Sequence, residues 1–198
     1  MSDSKQQNKA STMIGVLTVI AVLSGAALGF TDYLTRDIIQ ANRIETQMSA
    51  VRQVLPEYQN EPIDEQWAHP EFEENYVFPA RDGEGSIIGL AVQSRVGSGY
   101  SGDISAIVGM EPDGRVVGVV ILQHSETPGL GARITEEEFT RQFDGVNPAT
   151  DPPRLVRDGG DIDAIAAATI SSRAVVEVVE RAGVVYEDYM AAMQGGDV

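Results

Sequence analysis

The stretch Asp161–Val179, DIDAIAAATISSRAVVEVV, sets the small residues Ala166, Ala167, Ala168 and Thr169 between an acidic lead-in and a strongly apolar run. From Ser171 to about Met193 the spacing predicts a helix. Val175, Val178, Val179, Ala182, Val185, Tyr186, Tyr189, Met190 and Met193 fall on one stripe of it. Such a stripe needs an apolar surface to cover it, and upstream segments supply strands for that purpose. The small residues in front either form a bland loop or leave room for something bulky against the backbone.

Working outward, Tyr76–Ala80 and Ser86–Arg95 flank the turn RDGEG, and Ile104–Met110 and Arg115–Leu122 flank EPDG. Pro112 presets the second position of that turn and Asp113-Gly114 complete the reversal, so both pairs read as hairpins. Arg115–Leu122, RVVGVVIL, is almost wholly apolar and is expected to be a central, buried strand. Thr135–Phe143 reads as a short helix with Thr135 as N-cap and Glu138 completing a capping box. The expected fold class is α+β: four or more antiparallel strands with helices packed on them, preceded by a membrane helix.

That first helix is carried by Met13–Phe30, MIGVLTVIAVLSGAALGF, a run without a charged side chain and about long enough to cross a hydrocarbon core. Helical spacing continues through Leu34, Ile38, Ala41, Met48, Val51 and Leu55, with no proline until Pro56. A transmembrane helix over 13–31 running into a stalk therefore fits better than a cleaved leader. Residues 32–70 read as helical stalk and linker, and residues 71–198 as the folded domain. The only lysines, Lys5 and Lys9, precede the apolar run, which puts residues 1–12 in the cytoplasm and the domain outside it.

The chain carries a net charge of −16, and residues 1–30 contribute +1, leaving −17 for the remainder. A surface this acidic repels phosphate backbones, so nucleic acid is not an expected partner. With no cysteine and only His69 and His124, thiolate and histidine-built metal sites are excluded as expectations, and none is assigned.

Two further stretches could hold a ligand. His124–Ile134, HSETPGLGARI, follows the apolar strand and combines Glu126, Thr127, Gly129, Leu130 and Gly131. Gly97–Asp103, GSGYSGD, could lay Tyr100 over a planar group. Around Thr169, the hydroxyls of Ser171 and Ser172 stand where the free N–H groups of a helix start would favour a phosphate. Read as residues alone, each has a plain alternative: a tight turn, a flexible loop, an ordinary serine N-cap.

Taken together, ETPGLG at Glu126–Gly131, D-x-x-A-A-A-T at Asp163–Thr169, GYSGDI at Gly99–Ile104 and a single N-terminal membrane helix resemble the FMN-binding family. That family includes the G subunit of Rnf-type electron-transport complexes and the C subunit of the sodium-translocating NADH:quinone oxidoreductase. The chain's length resembles the former more closely. The resemblance implies FMN joined through its phosphate to a threonine hydroxyl in a motif D-x-x-(S/T)-G-A-T, attached by a separate flavin transferase. Matched by position, Asp163 stands first, Ala168 is penultimate and Thr169 is the acceptor. Ala166 replaces the usual Ser/Thr and Ala167 replaces the usual glycine.

The resemblance further implies an electron-relay subunit of an ion-translocating ferredoxin:NAD⁺ oxidoreductase, docked on other membrane subunits in the inner membrane. The domain would be periplasmic, and no catalytic acid–base pair is expected. Cofactor contacts are expected from Thr169, Ala168, Ser171, Ser172, Asp163, Glu126, Thr127, Gly129, Leu130, Gly131 and Tyr100. The rival readings are the quinone-reductase C subunit and a membrane-anchored binding or assembly module without flavin.

Overall fold

A computed structural model describes the backbone of residues 2–195 and the side chains of residues 13–195. The side chains of Lys5 and Lys9, on which the orientation rule rests, and the last residues of the expected domain, 196–198, lie outside the described residues. The chain divides into two units, Met1–Glu45 and Thr46–Val198.

From Ser2 onward the first unit is helical, forming most of α1 (Ser2–Val54). Its large apolar side chains from Met13 to Leu34 are exposed. The hydroxyls of Thr18, Thr31 and Thr35 donate back to the carbonyls of Ile14, Ala27 and Thr31, each at 2.9 Å. Polar side chains that satisfy themselves on their own helix are compatible with a lipid environment. By length and composition this helix can cross a membrane.

The second unit is built on a five-stranded antiparallel sheet of order β1-β2-β3-β4-β5: Trp67–Ala68, Tyr76–Arg81, Ile87–Val96, Ile104–Met110 and Val116–Gln123. Both hairpins form as expected, the second closed by the Gly114 N–H on the Glu111 carbonyl at 2.9 Å. Side chains alternate between two covered faces. Val77, Leu90, Val92, Ala106 and Val108 face α3 (Thr169–Gly195), while Phe78, Ala91 and Ile107 pack with Ala50, Val51 and Val54 from the end of α1. A Cβ on Gly109 would lie 2.5 Å from the Val54 carbonyl oxygen, so glycine there lets the helix end approach the sheet backbone.

Three expectations change. Residues 46–70 belong to the compact unit, and the expected linker contributes the edge strand β1. RVVGVVIL is an edge strand: β5 pairs with β4 alone within the sheet, and Val117 stays 40% exposed. An unbroken apolar run does not distinguish centre from edge. Here the free edge of β5 is covered at one end, where Val116 exchanges backbone hydrogen bonds with Gly145 and Val146 at 2.7 and 2.8 Å.

The expected Thr135–Phe143 helix is instead a chain of short turns: 3-10 over Gly131–Thr135, α2 over Glu137–Thr140 and 3-10 over Arg141–Phe143. Glu136 is the N-cap and the capping box does not form. The Thr135 hydroxyl donates to the Ala132 carbonyl at 3.0 Å, a local alternative that threonine readily takes. The segment is held by Ile134, Phe139 and Phe143, which are buried in the α3 core.

Candidate functional site

Residues widely separated in sequence meet at Glu126. Its side chain is buried, 5% exposed, and each oxygen has a partner. The Ser101 N–H donates to Oε1 at 3.1 Å, and the Ser171 hydroxyl donates to Oε2 at 2.8 Å. One carboxyl group therefore ties the GYSGD loop and the TPGLG turn to the first turn of α3. A buried carboxyl group left without those donors would be costly, so the three segments are energetically coupled.

Small residues make the junction possible. A Cβ on Gly131 would lie 2.5 Å from Glu126 Oε2 and 2.7 Å from Ser171 Oγ. A Cβ on Gly99 would meet Glu126 Oε1 at 2.9 Å. The turn between them is closed by the Thr127 carbonyl, which accepts the N–H groups of Leu130 and Ala132, both at 3.1 Å. The side chains of Thr127, Leu130 and Tyr100 remain exposed, Tyr100 at 70%.

The small-residue turn ahead of α3 has its own internal frame. The Ala168 N–H donates to the Ile165 carbonyl, and the Ser172 hydroxyl both accepts the Ile165 N–H and donates to the Ala168 carbonyl, all at 3.0 Å. Ala168 is buried in the core, while Ala166 and Ala167 are exposed. Ala167 has φ +62°, a left-handed conformation that costs a residue with a Cβ about 1–2 kcal/mol. This is the position at which the resembling motif carries glycine. The helical hydrogen-bond ladder begins when the Ser172 N–H reaches the Ala168 carbonyl, so Thr169, Ile170 and Ser171 direct N–H groups outward without an acceptor inside the helix.

Thr169 is the first residue of α3, two positions ahead of the expected helix start, and its side chain is half-buried. Its hydroxyl oxygen accepts a hydrogen bond from Arg157 Nη1 at 3.2 Å. Arg157 sits on a 3-10 turn, Val156–Asp158, that is brought alongside by backbone pairing of Val156 with Ile162 at 2.9 Å and of Ile162 with Arg154 at 3.0 Å.

The sequence-predicted residues thus separate into groups. Glu126, Gly131 and Ser171 form one buried junction, with Thr127, Gly129, Leu130 and Tyr100 on its exposed loops. Ser172 and Ala168 shape the turn that presents Thr169. Asp163 is engaged elsewhere, its N–H donating to Gln142 Oε1 at 2.6 Å while its side chain is exposed. Arg157 is absent from the sequence-based expectations, because nothing in spacing or motif links it to a threonine twelve residues later. Among the described residues no cluster suited to a metal ion occurs.

These residues suit a phosphate-bearing planar cofactor chemically: a presented hydroxyl, outward N–H groups, a guanidinium beside them, and exposed methyl-sized side chains in front. The FMN-binding domain family matches residues 99–183, a span that runs from Gly99 through Thr169 to Gly183. The G subunit of the ion-translocating oxidoreductase complex of Methanosarcina acetivorans is 34% identical over 98% of this chain and 100% of its own length. The G subunit of the same name from Haemophilus influenzae is 30% identical over 98% of this chain and 97% of its own. Among solved structures, the C subunit of the Na⁺-translocating NADH-quinone reductase of Parabacteroides distasonis is 25% identical, with a TM-score of 0.46 over 56% of this chain and 61% of that one. The chain belongs to the family of G subunits of ion-translocating oxidoreductase complexes.

Proposed function

We propose that this chain is the electron-relay subunit of a membrane-bound ion-translocating ferredoxin:NAD⁺ oxidoreductase, with FMN linked through its phosphate to the Thr169 hydroxyl. The observation that carries the reading is the placement of Thr169. It opens a long helix, on a turn of small residues, beside the junction that gathers all three motifs. When bound, the flavin supplies the redox chemistry, and the protein supplies attachment and surroundings.

Each part has a physical task. The outward N–H groups and dipole at the start of α3 favour the negative charge of a phosphodiester. The Glu126 junction fixes the loops bearing Leu130 and Tyr100 against the same helix turn, and their exposed side chains offer apolar surface to a planar ring. Ala166 and Ala167 keep bulk away from the acceptor hydroxyl. The linkage is made by a separate flavin transferase, and no catalytic residue is assigned within this chain.

The apolar helix spans the inner membrane once, with the lysine-bearing N-terminus cytoplasmic and the acidic domain periplasmic, where it docks on other membrane subunits of the complex. Near full-length coverage of the G subunit relatives supports this assignment over the quinone-reductase C subunit.

Intact mass and ultraviolet fluorescence on a denaturing gel test the proposal, using the full chain coexpressed with a flavin transferase. The expected result is a mass increase of one FMN less one water and a fluorescent band. Thr169→Ala should be dark and unmodified. An unmodified wild-type chain refutes the linkage, and fluorescence that survives Thr169→Ala moves it to another residue.

A further inference from the structure

The domain is strongly acidic, and its arginines are mostly committed to carboxylates. Arg95 bridges Glu74 and Asp103, Arg115 pairs with Asp113 at 2.6 Å, and Arg181 with Glu177 at 3.1 Å. Arg157 differs. Among the described residues it has no carboxylate partner, although Asp158 is its immediate neighbour. That acid is already held by Arg173, whose Nε and Nη2 reach it at 3.1 and 2.8 Å in a two-pronged pair. Arg157 is exposed, and its one hydrogen bond among the described residues is to the oxygen of Thr169.

A guanidinium in an acidic domain gains more by pairing with a carboxylate than by donating to a neutral hydroxyl. Keeping it on a hydroxyl while the adjacent acid is taken by another arginine is the arrangement expected if the hydroxyl becomes the anchor of an anion. We infer that Arg157 is the counter-charge of the phosphodiester formed at Thr169. This rests on the Thr169 linkage proposed above and assigns to it a residue outside the attachment motif. Arginine suits the role because it stays charged at every physiological pH and its planar fork matches phosphate oxygens. The Asp158–Arg173 pair acts as a guard, withholding the nearest competing carboxylate from Arg157.

The test compares wild type, Arg157→Gln, Arg157→Lys and Thr169→Ala, with Arg141→Gln as a control for net charge away from the site. Each full chain is coexpressed with limiting flavin transferase, and loading is read by intact mass. Arg157→Gln should load about tenfold more slowly, the loss expected for one charge-assisted hydrogen bond. Arg157→Lys should recover part of that loss, and Arg141→Gln should load as wild type does.

Melting of loaded and unloaded protein gives a readout independent of the transferase. The rise in melting temperature on loading should shrink in Arg157→Gln, while the unloaded variant melts as wild type does. Wild-type loading and an undiminished rise in Arg157→Gln, with Thr169→Ala dark, overturn the role of Arg157 and leave the linkage standing. A lowered melting temperature in unloaded Arg157→Gln also overturns it, because the residue would then be structural. If Thr169→Ala remains loaded, the linkage fails first and the inference falls with it.

Discussion

The two ends of α3 are built on opposite plans. Toward its C-terminal end, Tyr189 is 1% exposed and meets the Trp67 ring edge-on at 5.7 Å. His69 is fixed between the backbone N–H groups of Glu71 and Phe72, which donate to Nδ1 at 3.1 Å, and Asp188, which lies 3.0 Å from Nε2. The His69 ring also stacks on Phe72 at 4.6 Å. The N-terminal end is anchored by small residues instead: the preceding turn is exposed alanine in a left-handed conformation, and it presents the half-buried Thr169 hydroxyl. One end fastens the entry segment and β1 to the core. The other is held open from behind by Glu126. The large aromatic contacts lie away from the proposed attachment point, and backbone strain lies beside it.

The sharpest way to break that contrast is to attack the fastened end. Tyr189→Ala removes one of the largest fully buried side chains and should cost about 3–5 kcal/mol. Urea denaturation of the full chain in detergent measures it. Flavin loading per folded molecule should be unchanged, since the substitution lies between five and six helical turns from Thr169, roughly 30 Å along the axis. A variant that folds yet loads poorly would show that the two ends are not independent.

The open end has its own vulnerable point. Gly131→Ala places a methyl group against Glu126 Oε2 and Ser171 Oγ and should destabilise by about 1–3 kcal/mol. Here loading should fall as well, because the shift moves the first turn of α3. Ala167→Gly acts in the opposite sense. It relieves the left-handed cost, less the chain entropy that glycine adds to the unfolded state, for a net gain of about 0.5–1 kcal/mol. Thermal melting should rise by roughly 1–4 °C for a domain of this size.

Much of this contrast is legible in the sequence. Strand-like runs on either side of turn residues locate both hairpins, and the stripe from Val175 to Met193 locates α3. The three motif stretches point to Glu126, Gly131, Ser171 and Thr169. What escapes depends on contacts that leave no local pattern. RVVGVVIL reads as a central strand because an unbroken apolar run looks the same at the edge of a sheet as at its centre. The Thr135 capping box loses to a 3-10 turn dictated by burial of Ile134, Phe139 and Phe143. The Pro-rich segment 56–70 reads as a linker because its single strand is two residues long. Arg157 is invisible because a side-chain bond across a twelve-residue loop has no periodic signature.

The smallest expected effect refines the fastened end. Glu65, just ahead of β1, accepts hydrogen bonds from Arg81 Nε at 2.6 Å and Asn60 Nδ2 at 2.9 Å. Chiefly the Arg81 bond, then the Asn60 bond, hold its carboxyl below the ordinary value against a small opposing effect of burial. A carboxyl group depressed in the folded state adds stability that is fully present above its unfolded pKa, about 4.3, and is lost as pH falls through the folded value. Because the pair is open to solvent on the Glu65 side, its contribution is below about 1 kcal/mol and is reduced further by salt. Glu65→Gln should therefore lower the melting temperature slightly at pH 7, and the difference from wild type should shrink as pH falls from the unfolded value and vanish once it has passed the lower folded one. Should the difference instead persist at low pH, the substitution acts through something other than the charge of Glu65, and the Glu65–Arg81 ion pair is incidental to the fastened end.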